Sequence, residues 1–74
     1  MFFIQITIAE SGKTVFLNPE NIGYMAPESR GVVIVTNIPT PVGGTVSFTV
    51  QETMEELIQL IEGSENPGPN AMIG

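Results

Sequence analysis

The sequence predicts a small α+β domain: an antiparallel five-stranded β-meander or partly open barrel, one C-terminal α-helix, and an extended Pro/Gly tail. Three observations lead there. Between residues 2 and 50, short runs of β-prone residues, several with apolar and polar residues alternating, are separated by Gly, Pro, Asn and Ser. At Thr53 the apolar spacing changes from two residues to three and four, the helical period. After Gly63 the chain reads GSENPGPNAMIG, in which Pro67, Gly68 and Pro69 cannot prolong a helix. Seventy-four residues leave room for one domain, residues 1–62, with 63–74 as its tail.

The first strand is Phe2 to Ile8, with Phe2, Ile4, Ile6 and Ile8 on one face and Phe3, Gln5 and Thr7 on the other. Glu10-Ser11-Gly12-Lys13 supplies a turn, and Thr14-Val15-Phe16-Leu17 resumes the extended pattern, so the two runs form a hairpin. Asn18-Pro19-Glu20-Asn21 is a second turn, because Asn tolerates turn conformations and Pro fixes φ while removing a ladder donor. A short third strand, Ile22 to Met25, follows. Pro27 to Gly31 marks the next reversal, and Val32-Val33-Ile34-Val35-Thr36, apolar at nearly every position, reads as a strand covered on both faces. Asn37 to Gly44 holds Pro39, Pro41, Gly43 and Gly44 and is expected to protrude as a loop. The fifth strand places Val46, Phe48 and Val50 inside and Thr45, Ser47 and Thr49 outside. Thr53-Met54-Glu55-Glu56 fits a capping box, with Met54, Leu57, Ile58 and Ile61 at helical spacing and Gly63 placed to end the helix in a left-handed cap. In the tail, Ala71-Met72-Ile73 is expected to dock, on a neighbouring subunit among other choices.

Charge narrows the partners. Lys13 and Arg30 stand against eight glutamates for a net charge of −6. Binding of a nucleic-acid polymer draws its affinity from Lys and Arg neutralising phosphates, so it is disfavoured here. No run approaches the roughly 18 apolar residues of a membrane span, and the amino-terminal MFFIQITIAESGK lacks the basic start and cleavage site of a signal peptide. The expected location is therefore cytoplasmic, in a bacterial cell or a phage-infected host. With no cysteine and no histidine, neither a disulfide nor an ordinary zinc site supplements a core that supplies only about 3–5 kcal/mol at this size. A homo-oligomer is the expected remedy.

Phe16-Leu17-Asn18-Pro19-Glu20-Asn21-Ile22, Gly31 to Thr36, and Val50-Gln51-Glu52-Thr53-Met54-Glu55-Glu56-Leu57-Ile58 together resemble the small FlbD-like family. That family has an LNP turn, an isoleucine entering the next strand, a short β run, and a V-x-E-S/T-x-E-E entry into a terminal helix. The resemblance spans residues 1–62 and implies a non-enzymatic accessory protein of the kind found beside flagellar genes and in phages. The chain departs from the pattern in its longer first hairpin, in the Pro-containing segment Asn37 to Gly44, and in the tail. The order of elements also looks like the LytTR DNA-binding domain, an activity the acidity opposes.

The absence of His, Cys and Asp removes the usual triads, thiol nucleophiles and paired-histidine metal sites, so no catalytic residue, metal or cofactor is assigned. Glu52, Glu55, Glu56 and Glu62 are explained by helix solubility and capping rather than acid–base chemistry. Four residues are candidate ligand contacts. Arg30 is a fork for phosphate or carboxylate, Tyr24 can stack on a ring, and Gly43 and Gly44 let backbone amides approach an anion. Phe3 and Phe16 on the minor face of the first hairpin, and Val33 and Val35 on the second face of the fourth strand, are candidate interface residues. The expected function is a noncatalytic oligomeric binding module that occupies a protein partner or a small ligand. The alternatives are a phage-encoded sponge that sequesters a small signalling molecule such as a cyclic nucleotide, and a structural component of a virion or motor.

Overall fold

In the computed structural model, which describes residues 3–65, strand β1 (Ile4–Thr7) pairs antiparallel with β2 (Thr14–Leu17). A three-residue 3-10 turn (Pro19–Asn21) then leads to β3 (Ile22–Glu28), β4 (Gly31–Pro39) and β5 (Thr45–Val50), which form a three-stranded antiparallel sheet with β4 at its centre. Helix α1 (Met54–Glu65) completes the fold. The two sheets meet at a single antiparallel bridge, Ile8 to Val50, flanked by Ala9 N–H to the Thr49 carbonyl and Gln51 N–H to the Thr7 carbonyl, both at 2.8 Å. The strands therefore run β2-β1-β5-β4-β3 across one curled surface that does not close into a barrel.

Alternation decides which side of each strand faces the core. Ile4, Ile6 and Leu17 from the hairpin, Val32, Ile34 and Val50 from the larger sheet, and Leu57 from α1 are all buried. Met54 and Ile61 extend the apolar stripe of the helix onto this core, where α1 packs against β1 and β3. The capping box forms as its residues require: Thr53 N–H donates to Glu56 Oε1 at 2.9 Å, and Glu56 N–H donates to Thr53 Oγ1 at 3.1 Å. Asn18 caps the 3-10 turn by accepting from Glu20 N–H at 3.0 Å.

Two irregularities depart from simple alternation. Ile22 and Tyr24 are two residues apart and in a regular strand would share a face. The register shifts by one residue between them, so Ile22 pairs with Thr36 and turns inward while Tyr24 pairs with Val35 and turns outward. Gly23 is the extra residue, and a Cβ there would lie 3.1 Å from the Val35 carbonyl oxygen. On the other side of β4 the register slips between Val35 and Pro39. There the buried Thr36 hydroxyl takes the place of ladder bonds, donating to the Val46 carbonyl at 2.6 Å and accepting from Ile38 N–H at 3.2 Å.

Several boundaries differ from those the sequence suggests. β3 runs through Pro27 to Glu28, because an edge strand tolerates a missing N–H. β4 continues through Asn37 to Pro39, so the expected loop Asn37 to Gly44 contracts to Thr40–Gly44, held by Gly43 N–H to the Thr40 carbonyl at 3.2 Å and Thr40 N–H to the Gly44 carbonyl at 3.1 Å. Gly63 is not a left-handed cap. It lies inside α1 without a positive φ, and the helix continues through Glu65, past the expected start of the tail. Phe2 and the Ala71-Met72-Ile73 segment lie outside the described residues.

Candidate functional site

The outward faces of the two sheets carry the interface candidates. Gln5 pairs with Phe16 on the outer side of the hairpin, where Phe3 shares the parity of Gln5. Phe3 and Phe16 are 62% and 64% exposed. On the larger sheet the pairs Tyr24–Val35 and Ala26–Val33 lie side by side across β3 and β4, facing away from the core, and Tyr24 is 62% exposed. Val33 and Val35 are half-buried by their neighbours alone. Between these two apolar patches runs the outer side of β5, made of Thr45, Ser47 and Thr49. Tyr24 thus joins Val33 and Val35 in one patch, a grouping that the alternation of β3 alone does not reveal because it depends on the Gly23 bulge.

Arg30 sits in the two-residue turn between Glu28 and Gly31. That turn rides against the end of β5: a Cβ on Gly31, whose φ is +144°, would fall 2.1 Å from the Val50 carbonyl oxygen. The bond from Ala9 to Thr49 brings the first hairpin's turn to the same place. Ala9, Glu10, Arg30 and Thr49 consequently line one shallow depression of about 220 Å³, with one basic and one acidic side chain on its rim. Gly43 and Gly44 occupy the opposite end of β4 in left-handed conformations (φ +99° and +73°). At about 3.3 Å of rise per residue, the nine residues of β4 put roughly 25 Å between that turn and Arg30. The four ligand candidates are therefore not gathered into one pocket within a single chain.

A second depression, of about 440 Å³, is lined by Gln5, Glu52, Glu56, Gln59 and Leu60. Both carboxylates are engaged. Glu56 holds the helix cap, and Glu52 accepts from Thr7 N–H through Oε1 and from the Thr7 hydroxyl through Oε2, each at 2.9 Å. Glu52 is not merely a solubilising residue before the helix; it locks β1 to the turn after β5. Nothing in the local pattern around residue 52 signals this, because its partner is 45 residues away. Among the described residues no group of three His, Cys, Asp or Glu could hold a metal ion, and no helix is long and apolar enough to cross a membrane. Comparison with family models, with curated proteins and with solved structures returns no match.

Proposed function

We propose that this chain is a noncatalytic binding module, FlbD-like in type, that self-associates and acts by occupying a protein partner or a small ligand. The observation that carries the reading is the placement of its aromatics. The inward faces of both sheets and the helix stripe already make up the core, yet Phe3, Phe16 and Tyr24 stand more than half exposed on the outward faces. On so small a domain, apolar groups clustered outside a completed core are suited to contact with another surface. Sedimentation velocity is the test. The expected result is a species larger than the 7.9 kDa monomer at low micromolar concentration. A folded monomer there contradicts the self-association part of the reading.

A second reading, sequestration of a small anionic signalling molecule such as a cyclic nucleotide, is favoured by one observation: Arg30 is the single guanidinium of the chain and lines a depression. A pocket that also used Tyr24 or the Gly43-Gly44 turn would need a second copy to supply them. A thermal-shift screen against nucleotides separates the two readings, since a sequestering site raises the melting temperature with one phosphate-bearing class and a protein-binding surface does not.

A further inference from the structure

The hydrogen-bonding direction of each residue in the first hairpin follows from its bonds. Thr7 spends both backbone groups on the far side of β1, its carbonyl on Gln51 and its N–H on Glu52. Its register partner Thr14 is therefore in a non-hydrogen-bonded pair with it, as is Phe16 with Gln5 one alternation further on. The N–H and C=O of Thr14 and Phe16 thus point away from β1, to the open edge of the curled surface, where they have no partner among the described residues.

The opposite edge is closed to pairing. In β3 the pair Glu28–Gly31 closes a two-residue turn and is hydrogen-bonded, so Met25 and Pro27 are the residues whose backbone groups face outward. Pro27 has no N–H to give, the Gly23 bulge breaks the register at the other end, and Glu28 adds a charge. These are the devices by which sheets avoid edge-to-edge association. β2, with the sequence TVFL, has none of them: no proline, no bulge and no charge, on a chain of net charge −6.

We propose that the β2 edge is the site at which a second copy of this chain adds its own β2, antiparallel, about a two-fold axis midway between the two copies of Val15. The inference rests on the self-association read above and specifies the surface. A copy is the occupant that fits because the edge is self-complementary. With Val15 opposite Val15 of the other copy, Thr14 faces Phe16 and Phe16 faces Thr14, so the outward donors and acceptors of both strands satisfy one another in four backbone hydrogen bonds. The axis is normal to the sheet and keeps outer face with outer face. The two Phe16 rings become diagonal neighbours at about 7–8 Å, within reach of aromatic contact, and Phe3 flanks each of them. Both aromatics left exposed on the hairpin are then used by one interface, and uncharged strands meet where like charges elsewhere repel.

Amide exchange on the unmodified protein, followed by NMR from about 5 µM to about 500 µM, tests this without a variant. The Thr14 and Phe16 amides should slow at least about tenfold across the range, while the Met25 amide at the opposite edge should not. Thr14→Pro removes one outward N–H and leaves the bonds to β1, so it should weaken dimerisation at least about tenfold with the melting transition retained. Val35→Lys, on the outer face of the larger sheet, should leave dimerisation unchanged. A dimer that keeps Thr14 and Phe16 in fast exchange, or that Val35→Lys dissociates and Thr14→Pro does not, overturns the β2 edge while leaving self-association standing. A monomer throughout the range overturns both. Should Thr14→Pro fail to fold, the exchange measurement decides.

Discussion

Thr36 and Gly31 show how much single residues carry in a core this small. The Thr36 hydroxyl is buried where the β4–β5 ladder is broken, and it serves both Ile38 N–H and the Val46 carbonyl. Thr36→Val keeps the shape and leaves two polar groups without that partner, so urea titration should show a loss of about 2 kcal/mol. Gly31 has a positive φ and backs onto the Val50 carbonyl. Gly31→Ala should cost about 3 kcal/mol by the same measurement, through strain and overlap together. Arg30→Ala is a functional rather than a structural change, since the side chain is exposed in its turn. If a small anion binds in the depression beside Glu10, calorimetry should register a loss of roughly 1.5–3 kcal/mol in affinity with the melting midpoint nearly unchanged. Binding that survives the change would transfer the anion to backbone amides, those of the Gly43-Gly44 turn being the first to examine.

Among the elements, the helix offers the sharpest contrast, between its first turn and Gly63. Thr53 and Glu56 exchange capping hydrogen bonds, and Thr53→Ala should lower stability by about 1 kcal/mol in a thermal melt. Gly63 does the reverse of capping: it interrupts the last turn with a residue of poor helix propensity, and a Cβ there would meet nothing within 4 Å. Gly63→Ala should therefore stabilise by about 0.5–1 kcal/mol. The cap is legible in the sequence because Thr, Glu and the apolar stripe sit at fixed local offsets. The continuation past Gly63 is not, because Gly followed by polar residues has the same composition whether the helix stops or continues. Strands obey the same division. Period-two runs place Ile4, Ile6 and Val50 inside directly, whereas the inward side of β4, apolar at consecutive positions, the inward turn of Ile22 at a bulge, and the length of β4 past a buried hydroxyl leave no mark on the apolar pattern. The site is less legible still: Arg30 and Tyr24 can be picked out by residue type, but the distances between Arg30, Tyr24 and Gly43 follow from the register of β4.

At the scale of the whole molecule, a chain of net charge −6 resists meeting a copy of itself, and added salt reduces that resistance. Sedimentation in about 0.05 M and about 0.5 M sodium chloride should show self-association tightening severalfold with salt, opposite to the weakening expected of an interface held by ion pairs. The joint between the two sheets has its own consequence, which concerns order in time. The first hairpin and the β3–β4–β5 sheet each consist of neighbouring segments and can form as soon as those segments exist. Yet the hydrogen bonds that fasten the hairpin to the larger sheet arrive late, with Thr49 for Ala9 and with Gln51 and Glu52 for Thr7, and Leu57 completes the shared core later still. A growing polypeptide must therefore hold its first hairpin in readiness until the first turn of α1 has been added. A chain released at residue 48 would lack every one of these bonds, and its exposed apolar undersides would be free to meet those of other nascent chains.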